Sequence, residues 1–295
     1  MAKPKKKFEV DTKYIHGMLE PELIGKPEDT LKKPKVEILG KEVEVYDLSW
    51  PFGPGVPLWP YFEDIKIERI HYHAKSRVLS QRITTVMHVS THADSPVHVE
   101  EGFPTTDQIP IERYMGKGVV VSIPKGKWEI ITAEDLEKAD PPIEEGDIVI
   151  VNTGWHRYWG DTVKYFCYAP GFYKEAGEWF VKKKVKAVGI DTQALDHPLG
   201  TREVWSQGEG DERNRVLPWL ADEYKRETGR DVREDFPYWE PCHRLLLTHG
   251  IMGYENVGGD IDKVTGMRCT IIGLPLRWLG GDGSIVRLIA IVEKK

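Results

Sequence analysis

The stretch from Gly171 to Asp191 constrains the fold more than any other part of the chain. Gly171 to Lys184 reads as a helix that runs directly into Val185-Lys-Ala-Val-Gly-Ile-Asp191, an apolar strand ending on an aspartate. Upstream, Val43 to Leu48, Ile65 to His73, Gln81 to Val89, Val119 to Ile123 and Asp147 to Thr153 are short and rich in β-branched residues, as strands are. Helix and strand therefore alternate in the middle of the chain, which argues for an α/β (α+β) fold and against an all-β one. Thr132-Ala-Glu-Asp135 starts a short helix as a capping box with Asp135 in the Glu/Gln position. A further helix is expected over Cys242 to His249, ended by Gly250. Strands near Arg268 to Leu276 and Ile285 to Val292 follow, with a Gly-Gly-Asp-Gly turn between them.

Two segments lack this periodicity. Residues 1–42, rich in Lys, Pro and Glu, read as an extended arm that wraps the domain or a neighbouring subunit. Residues 192–241 read as a polar insertion in the single domain 43–295, with one helix around Arg213 to Thr228.

The charge balance narrows the partners. With 41 basic and 47 acidic residues the formal charge is −6, so no basic field for nucleic acid exists, and a small-molecule substrate is expected. No apolar run is long enough to cross a membrane, and the amino terminus lacks a secretory apolar core, so a cytoplasmic location is expected. Cys167, Cys242 and Cys269 form no Cys-x-x-Cys pair and suggest neither a disulfide framework nor a thiolate zinc site. Cys242 adjoins His243, but an ordinary half-buried thiol is favoured over a nucleophile.

The chemistry concentrates in His88-Val-Ser-Thr-His92-Ala-Asp94-Ser-Pro-Val-His98. Imidazole and carboxylate are ligands that zinc, manganese and iron all accept, and short spacing lets one segment supply several of them. Any one of these histidines alone reads as an ordinary half-buried side chain; the four residues together read as a tight, metal-holding loop leaving a strand and broken by Pro96. His88, His92 and Asp94 make a ligand set with open positions, suited to activating water for hydrolysis. His98 is placed as proton shuttle or general base, or as a fourth ligand that would close the site. Further ligands must come from elsewhere, and His243, His249 and Glu255 are available. On a helix His249 lies about 240° around from His243, so one orientation serves only one of them.

At these residues the chain resembles the metal-dependent hydrolases of the cyclase family, which includes bacterial kynurenine formamidase, isatin hydrolase and a dienelactone hydrolase. The family pattern His-x-Gly-Thr-His-x-Asp-x-Pro-x-His is met at residues 88–98 except at Ser90, which stands where the family has glycine. The likeness extends from Tyr46 onward through Asp47-Leu-Ser, Trp59-Pro60, Gly146 to Trp155 and Gly189-Ile-Asp-Thr192. It implies a mixed β-sheet core or flattened barrel with flanking helices, of swivelling β/β/α type. It also implies that His88, His92 and Asp94 hold one divalent metal, zinc or manganese, that Asp94, His243 and Glu255 hold a second, and that His98 handles protons.

The expected reaction is metal-dependent hydrolysis of an amide or ester carbonyl in an N-formyl, cyclic amide or lactone substrate. Trp59, Phe62 and Trp155 are candidate walls for a planar ring. A homo-oligomer, dimer or tetramer, is expected. Two alternatives stay open: a non-haem iron oxygenase using His92-x-Asp94 and a distant histidine, which would call for an all-β fold, and a non-catalytic metal-binding protein.

Overall fold

The computed structural model describes residues 26–60, 62–201 and 217–294. The first part of the expected arm and residues 202–216 of the expected insertion lie outside the described residues.

In chain order the strands are β1 (Val36–Ile38), β2 (Lys41–Asp47), β3 (Lys66–His71), β4 (Ser80–Thr84), β5 (His92–Asp94), β6 (Met115–Ser122), β7 (Ile130–Ile131), β8 (Ile148–Asn152), β9 (Gly171–Phe172), β10 (Ala187–Ile190), β11 (Met252–Glu255), β12 (Met267–Ile272), β13 (Gly283–Ile285) and β14 (Ile289–Glu293). The helices are α1 (Pro27–Leu31), α2 (His73–Ser76), α3 (Ala133–Glu137), α4 (Val163–Cys167), α5 (Lys174–Lys183), α6 (Pro218–Thr228), α7 (Val232–Asp235), α8 (Pro241–Thr248) and α9 (Ile261–Val264), beside short 3-10 turns.

Ten strands form one sheet in the order β1-β2-β14-β12-β6-β8-β10-β11-β5-β13. The central strands β6, β8, β10 and β11 run parallel, and all other neighbours in this sheet pair antiparallel. β8 and β10, and β6 from Gly118 to Val121, are buried on both faces, which is why these stretches are almost continuously apolar. Alternate residues serve opposite layers. Val119, Val121, Val149, Val151, Val188 and Ile190 pack under α3, α5 and α8 with Leu136, Phe180, Cys242 and Leu246. Val120, Ile148, Ile150 and Ala187 face the other way, with Tyr254, Ile271, Leu288 and α9. Thr132 caps α3 in the expected capping box with Asp135.

The sheet does not lie flat. β13 and β14 are joined by residues 286–288 alone, yet β14 is third in the sheet and β13 is last. Such a linker reaches at most ~14 Å, whereas seven flat strand spacings measure ~34 Å. The sheet therefore curls until its ends approach, with Leu48 N–H donating to Leu288 C=O and Val286 N–H to Thr91 C=O. This is the flattened, barrel-like mixed sheet with flanking helices that the resemblance implied.

Several boundaries differ from expectation, each for a tertiary reason. The sheet begins at Val36, before Val43, because β1 pairs with β2 along the edge. The run from Gln81 ends as a strand at Thr84, and the His92–Asp94 segment is a separate strand inserted between β11 and β13. The helix expected from Gly171 starts at Lys174, because Gly171 and Phe172 pair with β7 and Phe172 exchanges hydrogen bonds with Leu195 and His197. Ile285 to Val292 is two strands, split where the barrel closes. Residues 192–201, the start of the expected polar insertion, are buried throughout.

Candidate metal centre

The sheet register builds most of the site. His92 pairs with Glu255 on one side and Ile285 on the other, and Asp94 pairs with Gly253 and Gly283. Paired residues of neighbouring strands project from the same face, so His92, Asp94 and Glu255 point together toward the layer that holds α8. Ala93 and Tyr254 point into the opposite core. The two glycines leave room for this crowding. A Cβ on Gly283 would meet His88 Cε1 at 2.7 Å, and one on Gly253 would meet Leu195 at 2.7 Å and Asp94 Oδ2 at 3.3 Å.

Helix α8 brings His243 onto this face. The backbone N–H groups of Cys242 and His243 donate to Asp196 (2.9 and 2.8 Å), and His243 Nδ1 meets Asp196 Oδ2 at 2.7 Å, leaving Nε2 toward Glu255 Oε1 at 2.7 Å and Asp94 Oδ2 at 3.6 Å. His92 Nδ1 is held by the Ser90 carbonyl at 2.9 Å, so its Nε2 faces Glu255 Oε2 (3.2 Å) and Asp94 Oδ1 (3.4 Å). His88 enters from the preceding loop, with Nδ1 2.8 Å from Asp94 Oδ1 and Nε2 3.0 Å from Asp282 Oδ2.

All five sequence-expected ligands thus meet. Asp94 is wholly buried, and His92, Glu255, His243 and His88 are only 1, 2, 5 and 7 % exposed. The ligating atoms of His88, His92 and Asp94 lie within 4.8 Å of one another, as do those of Asp94, His243 and Glu255. The donor set fits a divalent ion on one further ground. His92 Nε2 and Asp94 Oδ2 are buried without a hydrogen-bond partner, a cost that a coordinated cation removes.

The electrostatics agree. Burial opposes the charge on Asp94, but His92, His243 and His88 outweigh it and hold the carboxyl well below its usual range. Burial likewise opposes charge on His88, yet hydrogen bonds to Asp282 and Asp94 raise its pKa to about 10. Cations in this nest are therefore strongly favoured, and a metal ion would replace protons there.

His98 does not join the buried group. It leaves the 3-10 turn Pro96–His98 exposed, stacks on His88 with ring centroids 3.9 Å apart, and lies 6.4 Å from the His243 ring. Packing around it and the neighbouring His88 push its pKa down, toward the neutral imidazole that a general base needs. Ser90 has φ +54°, the left-handed conformation that suits glycine, and its hydroxyl donates to the Trp50 and Pro51 carbonyls at 3.4 and 3.3 Å.

Other expectations are corrected. Trp155 is not a pocket wall: it packs in a core with Tyr165, Phe166 and Leu199, and its indole N–H donates to the Tyr165 carbonyl. Trp59 and Phe62 are half-buried in the connection between β2 and β3, but neither lines the apolar cavity next to strand β13, which none of the five expected ligands lines either. That cavity, about 760 Å³, is lined instead by Trp50, Phe52, Ile83, Met87 and Ile285 among others. Cys242 is fully buried where a half-buried thiol was expected, and burial pushes its thiol pKa up, which accords with the preference for an ordinary thiol over a nucleophile. His249 turns away, bonded to the Leu245 carbonyl. Asp196 and Asp282 were not singled out from sequence. Asp196 follows Asp191-Thr192 after a strand, and Asp282 stood only as a turn residue.

The model of the putative cyclase family matches residues 46–197, just over half of the chain, and the chain belongs to that family. The matched span contains residues 88–98 and Asp196, while His243, Glu255 and Asp282 lie beyond it. A kynurenine formamidase of Erythrobacter litoralis (strain HTCC2594) is 29% identical over 246 residues, covering 83% of this chain and 92% of that protein. Among solved structures, isatin hydrolase A from Ralstonia solanacearum superposes with a TM-score of 0.65 at 22% identity, covering 85% of this chain and 92% of that one. A potential metal-dependent hydrolase with cyclase activity gives a TM-score of 0.61 at 20% identity, covering 86% of this chain and 100% of that one. These two likenesses establish the shared fold. No helix among the described residues is long and apolar enough to cross a membrane.

Proposed function

We propose that this chain is a metal-dependent hydrolase that opens an amide or ester carbonyl of an N-formyl, cyclic amide or lactone substrate. The observation that carries the proposal is the convergence of His88, His92, Asp94, His243 and Glu255 in one buried nest with two orphaned donor atoms. The names of the relatives, a formamidase and isatin hydrolases, support the same reaction class. The helices between strands speak against the oxygenase alternative, which calls for an all-β fold.

His88, His92 and Asp94 would hold one ion, and Asp94, His243 and Glu255 a second. When bound, a divalent ion polarises a carbonyl and lowers the pKa of water toward neutrality. The chain's own groups do the rest. His98, neutral and exposed at the rim, accepts a proton from water and returns it to the leaving nitrogen or oxygen as the acyl bond breaks. The apolar cavity is lined by Ile285, which pairs with His92, and by Trp50, whose N–H donates to Thr91 Oγ1, and would seat the organic part of the substrate while staying open to solvent at Ile83 and Leu276.

Zinc or manganese, one or two ions per subunit, suits these donors. Homo-oligomerisation is supported by the apolar side chains of Ile70, Val78, Leu79 and Ile83, which stand exposed on and around the hairpin β3–β4. The net charge is compatible with a cytoplasmic protein. Elemental analysis of purified protein, followed by assay on N-formyl arylamines, cyclic amides and lactones, tests the proposal. Bound metal with turnover of at least one class is expected; bound metal with no turnover on any would overturn it.

A further inference from the structure

Each of the three ligand histidines has one ring nitrogen pointed into the nest and the other held by the protein, but the holding groups differ. His92 is held through Nδ1 by a backbone carbonyl, and His243 through Nδ1 by the buried Asp196. Both therefore present Nε2. His88 is turned the other way: its Nδ1 faces Asp94 Oδ1 at 2.8 Å, and its Nε2 meets Asp282 Oδ2 at 3.0 Å. The Asp282 carboxylate is 46% exposed, unlike that of Asp196, which is wholly buried.

Asp282 is built into position. It sits in the turn that leads into β13, and its backbone carbonyl accepts the Ser95 N–H at 3.0 Å. Next to it, the Gly281 carbonyl accepts from Thr106 N–H (2.8 Å) and Thr106 Oγ1 (3.0 Å), and the Gly280 N–H donates to Asp107 Oδ1 at 3.0 Å. These bonds tie the turn to both sides of the segment that follows the ligands. Gly283 then lets the His88 ring pass where a Cβ would collide with it.

We infer that Asp282 is a positioning residue for the metal centre: it takes the Nε2–H of His88 and so fixes the tautomer in which His88 ligates through Nδ1. The inference rests on the proposed metal centre and deepens it. A carboxylate behind a ligand imidazole fixes its tautomer and ring orientation and makes it a better donor; losing one costs about 10–100-fold in metal affinity. With Asp282 absent, His88 is free to rotate or to hold the proton on Nδ1, where it blocks coordination. Because the carboxylate is half in water, its removal leaves no buried orphan charge, so the fold survives the change.

Asp282→Asn, which keeps the shape, is the test, with Asp107→Asn as control because it loosens the same turn and leaves the carboxylate at 282. Affinity is measured by competition of zinc between protein and a chromophoric chelator, and the tautomer by long-range proton–nitrogen NMR on histidine-labelled, zinc-loaded wild type. The expected result is a 10–100-fold loss of affinity in Asp282→Asn, a much smaller loss in Asp107→Asn, and a spectrum in which one ligand histidine is protonated on Nε2. Equal losses in both variants, unchanged affinity in Asp282→Asn, or a spectrum with every ligand histidine protonated on Nδ1 would each overturn it. A wild type that takes up no metal would overturn the proposed function itself, an outcome distinct from those three.

Discussion

Two corners of the molecule hold buried histidine and aspartate, and they behave oppositely. In one, Asp191 accepts from Thr153 N–H and Oγ1 and from His156 N–H and Nδ1, at 2.6–3.1 Å. His156 Nε2 faces Asp262 at 3.3 Å, and Asp262 is held in turn by Asn152 and Arg157. None of the buried side-chain atoms of Asn152, Thr153, His156 and Asp191 lacks a hydrogen-bond partner. In the other corner, His92 Nε2 and Asp94 Oδ2 make no hydrogen bond, although Glu255 Oε2 lies 3.2 Å from the first and His243 Nε2 3.6 Å from the second. Both corners bury the same residue types; the second differs in leaving two ligand-type atoms without a hydrogen bond, a cost in free energy that a bound ion would recover.

The largest expected effect breaks the comparison at its centre. Asp94→Ala removes the residue common to both ligand groups, so the protein should lose bound metal and all hydrolysis while staying folded by circular dichroism. Asp191→Ala should do the reverse: stability falls by about 3–5 kcal/mol in urea, because the buried donors of Thr153 and His156 lose their common acceptor and His156 keeps only the half-exposed Asp262, while the folded protein retains its metal. If elemental analysis finds both variants equally depleted, the two corners are not distinct in kind.

His98→Ala sharpens the division of labour within the nest. Because His98 is exposed and stacked on His88 instead of joining the buried nest, its loss should lower kcat about 10²–10⁴-fold and leave metal content unchanged. A variant that loses metal in parallel with activity would make His98 a ligand.

How much of this was legible in the sequence follows from how local each feature is. Residues 88–98 announce themselves because four ligand-type side chains sit on one short segment, and the parallel strands β6, β8 and β10 do so because two-sided burial demands apolar runs, whereas the parallel strand β11, Met-Gly-Tyr-Glu, carries no such run and was not read as a strand. Strand β5 is three residues long, too short to show a period, so its place between β11 and β13 near one end of the sheet was invisible. Asp196 and Asp282 act on histidines far away in sequence, and no spacing rule links them. Trp155 was misplaced because a position just past a strand end does not tell which way the ring turns. The split between β13 and β14 reflects closure of the barrel, a property of the whole sheet.

The smallest effect concerns the one misfit to the family pattern in residues 88–98, and magnitudes decide its sign. Ser90 at φ +54° bears a left-handed strain of roughly 1–2 kcal/mol, which glycine would relieve. Against that, glycine loses about 0.5–1 kcal/mol through the freer unfolded chain. The hydroxyl bonds to Trp50 and Pro51, long at 3.4 and 3.3 Å, contribute at most ~1 kcal/mol. The terms nearly cancel for Ser90→Gly, whose urea midpoint should stay close to wild type. Ser90→Ala keeps the strain and loses the hydroxyl, so it should be the least stable of the three. Were alanine as stable as serine, the hydroxyl would contribute nothing to the Trp50 loop, and the strain at this position would be compensated elsewhere.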